Sequence, residues 1–182
     1  MIDDTIIDTF EKFSKLNGFK YIREPLPYRP YGRILGKLDS IAFQIYVYQS
    51  ESRAARVFDT VFTTPGLNQL PKGFCIDHMG EPFINKSFDE LIRIRSYDSE
   101  TVTDYLDDIT KKFLIGIFNQ IHEIESSLFK LRCSFRLSDE EVSLSVGRFF
   151  KSFEELTEAY RLVVPLLLSI RNKLPQLSKH GL

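Results

Sequence analysis

The clearest pattern in this chain lies in residues 129–146, which read FKLRCSFRLSDEEVSLSV. Apolar and polar residues alternate strictly up to Leu137, and the alternation resumes at Val142 after a short polar connection. A period of two is typical of a β-strand with one buried face, and two such runs around a polar turn predict a hairpin. A shared buried face requires Phe135 to pair with Leu144, because a slip of one residue would turn one apolar set outward.

Helical patterns flank this hairpin on both sides. Apolar residues in residues 98–128 recur at steps of three or four, with Ile109 on the inner face. The stripe widens near Phe118, so we expect a central helix that is covered on two flanks. A second helix begins at the S-x-x-E capping box of Ser152. We expect that helix to end at Pro175.

The first half of the chain predicts one helix and several strands. Residues 3–16 place Ile6, Phe10, Phe13 and Leu16 on an inner helical face, and Gly18 ends this helix. Residues 33–47 predict strand, tight turn and strand, with shorter strands further on. The whole predicts a single α+β domain over residues 1–175 and a flexible tail at 176–182. We expect an antiparallel sheet or meander with an N-terminal helix, a C-terminal helix–hairpin–helix unit, and the helices packed on one face.

The composition is that of an ordinary globular protein. The chain has 182 residues, of which 43% are hydrophobic and 27% charged, and its net charge is −1. A nearly neutral chain has no overall attraction to nucleic acid or anionic membranes. The start is acidic, unlike a signal peptide, and the longest apolar run, residues 162–168, is far below the roughly 20 residues of a membrane helix. We therefore expect a soluble, cytoplasmic protein in which Cys75 and Cys133 are reduced.

Four segments of the chain share their order and spacing with a known pattern: RILGKLDSIAFQIYV at 33–47, VFDTVFTTPG at 57–66, LPKGFCID at 70–77 and FDELIRIRSYDSETVTDYL at 88–106. Together they resemble a recurring uncharacterised α+β domain of prokaryotes, over about residues 33–170. The resemblance implies an α+β fold. It implies no activity and no catalytic residue, because none is assigned to that domain.

Residues 15–37 combine positive charge with aromatic rings. They hold six cations against the single acid Glu24, with Tyr28 and Tyr31 among the interleaved aromatic residues. Arginine forks bind phosphate oxygens and aromatic rings stack on bases. The segment therefore predicts a site for single-stranded nucleic acid or a phosphorylated ligand, with four candidate residues: Arg29, Arg33, Tyr28 and Tyr31. The alternative is a solvated proline-rich connector whose tyrosines pack on the sheet.

A second cluster lies at Cys75, Asp77 and His78. A cysteine and a histidine can bind a metal or form a nucleophile and its base. Alternation places Cys75 and Asp77 on one face of a strand and His78 on the other side or in the following loop. The alternative is a strand end with a solvated histidine.

The known nucleotide, hydrolase and zinc-protease motifs are absent from the sequence. We therefore expect no cofactor, no metal and no catalytic residue. The first hypothesis is a non-enzymatic binding or adaptor domain that contacts an unknown protein partner, or a second copy in a homodimer, through the hairpin edge or the last helix. The alternative is an anion or single-stranded nucleic-acid binder that uses residues 15–37. The second alternative is an enzyme with a scattered site near Cys75 and His78.

Overall fold

Eight strands and three helices make up the part of the chain that the computed structural model describes, which is residues 4–24, 26, 29–51, 56–67, 70, 75–79, 92–95, 108–124, 126 and 133–177. The helices are α1 (Asp4–Asn17), α2 (Asp108–Ile124) and α3 (Phe153–Leu177). The strands are β1 (Lys20–Ile22), β2 (Arg33–Leu38), β3 (Ile41–Glu51), β4 (Arg56–Pro65), β5 (Cys75–Met79), β6 (Ile92–Arg95), β7 (Cys133–Ser138) and β8 (Glu141–Val146).

All eight strands belong to one antiparallel sheet in the order β1-β2-β3-β4-β8-β7-β5-β6. The predicted α+β fold is confirmed: an N-terminal helix, an antiparallel sheet and a C-terminal helix–hairpin–helix unit with the helices on one face. The meander covers the first four strands. The β7–β8 hairpin then lies between β4 and β5 rather than at the end of the sheet.

The hairpin register is the predicted one. Phe135 pairs with Leu144, and Leu144 pairs in turn with Phe62 of β4. All three side chains are buried on the helix-covered face. Phe118 of α2 meets the Phe135 ring edge-on, with 5.5 Å between the ring centroids. The helix α2 therefore packs on the buried face of this hairpin.

Local chemistry sets the turns as predicted. The β2–β3 turn consists of Asp39 and Ser40, with φ of 49° and 67°, and two left-handed residues are what a two-residue hairpin turn requires. At the end of α1, Gly18 has φ of 69°, and the Phe19 amide donates to the Ser14 carbonyl at 2.8 Å. This is the pairing by which a Schellman motif satisfies a helix end.

Two helix residues that were predicted to face the core do not do so. Leu16 and Ile109 are both exposed. The stripe of α1 is centred on Ile6, Ile7 and Phe10, so Leu16, in the last turn, lies beyond its margin. In α2 the buried stripe runs instead through Leu114, Ile117, Phe118 and Ile121, and Ile109 precedes it on another side.

The middle helix of the layer is α3, not α2 as the apolar stripe predicted. It packs against α1 on one flank and α2 on the other, over β4 and β8. Ser152 caps α3, since its Oγ accepts the Glu155 amide at 3.2 Å. The predicted end at Pro175 is wrong, because α3 continues to Leu177. A proline removes one amide donor but keeps a helical φ.

Several predictions fall on residues outside the described ranges. They are helix residues 98–107, 125 and 127–128, the starts of the strands expected at 88–95 and 129–137, and the tail from residue 178 onward. Residues 176 and 177, which were assigned to the tail, belong to α3. No helix in the described part of the chain is long and apolar enough to cross a membrane.

The first prediction concerns the hairpin core. Phe135→Ala removes a buried ring from beneath α2, so the free energy of unfolding should fall by about 3–5 kcal/mol in urea titrations. The matched control is Ser134→Ala on the exposed side of the same strand, which should change it by less than about 0.5 kcal/mol. Equal effects of the two substitutions would contradict the assigned faces.

The second prediction compares two glycines. A Cβ at Gly36 would collide with the rings of Phe43 and Phe19, so Gly36→Ala should lower the free energy of unfolding by about 1–3 kcal/mol. Gly116 is exposed in α2, with no described atom within 4 Å of such a Cβ. Gly116→Ala should therefore raise it by about 0.5–1 kcal/mol. Shifts of the same sign in urea titrations would contradict this packing.

Candidate functional site

The face of the sheet opposite the helices, here the open face, carries the candidate site. No helix of the described chain lies on it. Strand register and alternation place these residues there: Lys20 and Ile22 from β1, Arg33, Leu35 and Lys37 from β2, Gln44, Tyr46 and Tyr48 from β3, Asp59, Val61 and Thr63 from β4, Glu141, Ser143 and Ser145 from β8, Ser134 and Arg136 from β7, and Cys75 and Asp77 from β5.

The middle of the open face is a hydrogen-bonded cluster around Glu141. The Ser143 hydroxyl donates to one carboxylate oxygen at 3.3 Å. The Thr63 hydroxyl lies 3.4 Å from the other carboxylate oxygen and equally far from the Thr64 carbonyl oxygen, and either can accept its proton. Tyr46 lies close by. Its pKa is raised by burial and then by the charge of Glu141, while the charge of Arg29 and a hydrogen bond from it act in the opposite direction. Each oxygen of this carboxylate therefore has a hydroxyl of the protein within hydrogen-bond distance.

A second polar group joins β7 to β5. Arg136 Nε donates to Asp77 Oδ1 at 3.0 Å, and the Cys75 thiol donates to the same oxygen at 3.5 Å. The hydrogen bond from Asp77 is the main cause that raises the pKa of Arg136. Asp77 is largely covered, whereas 51% of the Arg136 side chain is exposed. The pair holds two neighbouring strands together and leaves part of a guanidinium at the surface.

The predicted basic and aromatic residues do not form one surface. Arg29 lies over the Tyr46 ring, with its guanidinium carbon 4.0 Å from the ring centroid. Arg33 lies 4.0 Å from a carboxylate oxygen of Glu24. Tyr28 lies outside the described residues. Arg29 and Arg33 thus belong to the open face, and their role in binding stays a prediction.

Tyr31 is a correction to the sequence-based site. It is 3% exposed, and its ring packs near Phe58 with 6.3 Å between centroids. Its carbonyl also accepts the Tyr21 hydroxyl at 2.7 Å. A ring buried in the core cannot offer a flat face to a base. Tyr31 therefore follows the alternative reading of this segment, in which its tyrosines pack on the sheet.

The second predicted cluster is divided by the sheet. Cys75 and Asp77 lie on the open face, as alternation predicted, and His78 pairs with Phe135 and points to the helix side. His78 is 2% exposed, and its ring stacks on Phe118 at 4.4 Å between centroids. The alternative of a solvated histidine is therefore wrong, because residue 78 falls on the packed side of β5. Cys75 and His78 cannot act on one substrate from opposite faces.

Cys75 and Cys133 are not joined by a disulfide in this structure. Within the described ranges, no three side chains of His, Cys, Asp or Glu come together as a metal site would need. Sequence reasoning missed the cluster of Tyr46, Thr63, Ser143 and Glu141. Alternation along each strand places every member on one face, but only the strand order brings β3, β4 and β8 together.

Comparisons with known proteins leave the family open. No family model matches the chain, and no curated protein matches it. Among solved structures, it is similar to the crystal structure of the mycobacterial trehalose monomycolate transport factor A, TtfA, with 11% identity and a TM-score of 0.46. The match covers 91% of this chain and 96% of that chain. Similarity at this level says nothing about function, and the resemblance to the uncharacterised prokaryotic domain stays a prediction.

The third prediction uses Asp59, which lies opposite Tyr48 on the open face. Burial raises the pKa of Asp59, so the folded state favours the protonated carboxyl. Relative to high pH, the protonation of Asp59 stabilises the folded state. This stabilisation is complete below the unfolded pKa, roughly 4, and is lost as the pH rises through the folded pKa. Asp59→Asn should therefore raise the free energy of unfolding at pH 7, and the gain should shrink as the pH falls toward about 3.

Urea titrations across this pH range measure the effect directly. The control is Asp8→Asn on α1, where the carboxyl is exposed, and it should give no comparable gain at pH 7. A gain for Asp59→Asn that does not vary with pH would show that the charge of Asp59 is not its cause.

Proposed function

We propose that this protein is a non-enzymatic binding domain that contacts a protein partner through the open face of its sheet. The observation that supports this most is the division of the sheet into two faces. The helix side is filled by an apolar core, whereas the open face presents Tyr48, 40% exposed, and the guanidinium of Arg136 to solvent. Tyrosine and arginine are the side chains that interfaces favour.

Of the two surfaces first expected to bind a partner, the hairpin edge is occupied within the molecule and the last helix is covered on its flanks. The hairpin has no open edge, since β8 pairs with β4 and β7 pairs with β5. The last helix, α3, has α1 and α2 on its two flanks. Both lie in the middle of their layers, which favours the open face as the contact surface.

The polar groups of the open face favour binding over catalysis. Glu141 has a hydroxyl within hydrogen-bond distance of each oxygen, and Asp77 is bonded to Arg136 and Cys75. A nucleophile needs a base within hydrogen-bond reach; the carboxylate beside Cys75 is already bonded to the Arg136 guanidinium, and the histidine lies on the far side of the sheet. Among the described residues, these groups are bonded mainly to one another, which supports a structural role in a binding surface.

The second candidate function is an anion or single-stranded nucleic-acid binder. The specific observation in its favour is that Lys20, Arg33 and Lys37 fall on the open face of β1 and β2. The burial of Tyr31 removes one of the rings on which this candidate depended. A partner that is recognised by charge fits these observations better than one recognised by base stacking.

The fourth prediction tests the contact surface by photocrosslinking in the cells from which the protein comes. A benzophenone side chain at residue 48 or 134 lies on the open face, whereas the same group at exposed residue 112 of α2 or 161 of α3 lies on the helix layer. Adducts to a partner, or to a second copy, should form from 48 and 134 and not from 112 and 161. Adducts from the helix positions alone, or from no position, would overturn the proposed function.

A further inference from the structure

We infer that the partner presents an acidic peptide segment, and that this segment binds the cationic end of the open face, defined by Lys20, Arg29, Arg33 and Lys37. This inference rests on the proposed function and adds the chemistry of the partner. Of the six cations in residues 15–37, these four are gathered on one face by the register of β1, β2 and β3.

Leu35 lies at the centre of this group. Lys20 pairs with Leu35 across the strands, and Arg33 and Lys37 lie two residues to either side on the same face. At about 3.3 Å per residue, Arg33 and Lys37 are roughly 13 Å apart along β2. Arg33 in turn pairs with Tyr46, over which Arg29 lies. The four cations therefore form one continuous patch with an apolar centre.

Three of the four charges of this patch, those of Lys20, Arg33 and Lys37, are available to a ligand. Every charged residue on the open face of β1 and β2 is a cation. Lys20 and Lys37 are exposed, and in the described chain neither takes part in an ion pair. Arg33 meets Glu24 only at 4.0 Å, and the Glu24 side chain is 70% exposed. An exposed pair of this kind is weak, so a carboxylate of a partner can replace Glu24.

An acidic peptide fits the patch better than single-stranded nucleic acid. Nucleic acid bound without base pairing depends on rings that stack on successive bases. Tyr31 is buried in the core and Arg29 lies over the Tyr46 ring, so among the described tyrosines of the open face only Tyr48 has an exposed ring. An extended peptide needs no such rings, and it places every second side chain on one side, roughly 7 Å apart. Its carboxylates accept from arginine and lysine in charge-assisted hydrogen bonds.

The fifth prediction uses two labelled probes of equal length, a glutamate dodecamer and a thymidine dodecamer, in anisotropy titrations with the full chain. The glutamate probe should bind more tightly than the thymidine probe, and binding should weaken between about 50 and 150 mM salt because salt screens surface charge. The double substitution Lys20→Glu and Lys37→Glu should weaken its binding at least about tenfold.

The control is Lys112→Glu with Lys173→Glu, which makes the same charge change at exposed positions of α2 and α3. It should change affinity by less than about threefold. Both double variants should keep the melting temperature, since none of the four lysines is in an ion pair among the described residues. If the double variant of Lys20 and Lys37 fails to fold, the single substitutions Lys20→Gln and Lys37→Gln take its place, and each should still weaken binding.

Three results would overturn the inference: tighter binding of the thymidine probe, no association of the glutamate probe at about 50 mM salt, or equal weakening by both double variants. The first would assign the patch to nucleic acid. If residues 48 and 134 crosslink to a partner but the glutamate probe does not bind, the proposed function stands and the acidic partner does not. If the probe binds but crosslinks form only from α2 and α3, the proposed function fails instead.

Discussion

The structure depends on the insertion of the β7–β8 hairpin between β4 and β5. A sheet edge carries unpaired amides and carbonyls, but both strands of this hairpin have a hydrogen-bonded neighbour on each side. The insertion joins the four-stranded meander to the β5–β6 pair and makes one sheet of two sequence-distant parts. The helices that precede and follow the hairpin, α2 and α3, then lie on the same side, over the apolar row that contains Phe62, Leu144 and Phe135.

The same register defines the surface that we assign to binding. Because side chains alternate along every strand, the row that buries Phe135 on one face places polar residues on the other. The middle of the open face is held by hydrogen bonds to Glu141 and Asp77. Its β1–β2 end carries Lys20 and Lys37, which are exposed and take part in no ion pair among the described residues. A rigid polar middle beside an available cationic end is an arrangement suited to recognising charge on another protein.

Local sequence chemistry predicted what is local. Alternation gave the pairing of Phe135 with Leu144, and Ser152 marked the start of α3, because each depends on residues only a few positions apart. Strand order depends on which distant strands meet, so the insertion of the hairpin and the cluster around Glu141 had no local signal. Tyr31 was assigned to a ligand site because charge surrounds it in sequence, yet its ring enters the core. Alternation correctly placed His78 on the opposite face from Cys75. That His78 is buried could not be predicted, because its burial depends on the packing of α2 against that face.

Native-state hydrogen exchange tests the central role of the hairpin most directly. If β7 and β8 are paired on both sides, the amides of Ser134 to Leu137 and Val142 to Ser145 should exchange only by global unfolding. Their exchange free energies should then equal the free energy of unfolding from urea titrations, and the amides of the edge strand β1 should exchange at lower free energies. Hairpin amides that exchange as readily as those of β1 would contradict the account, because they would show that the hairpin is not held within the sheet.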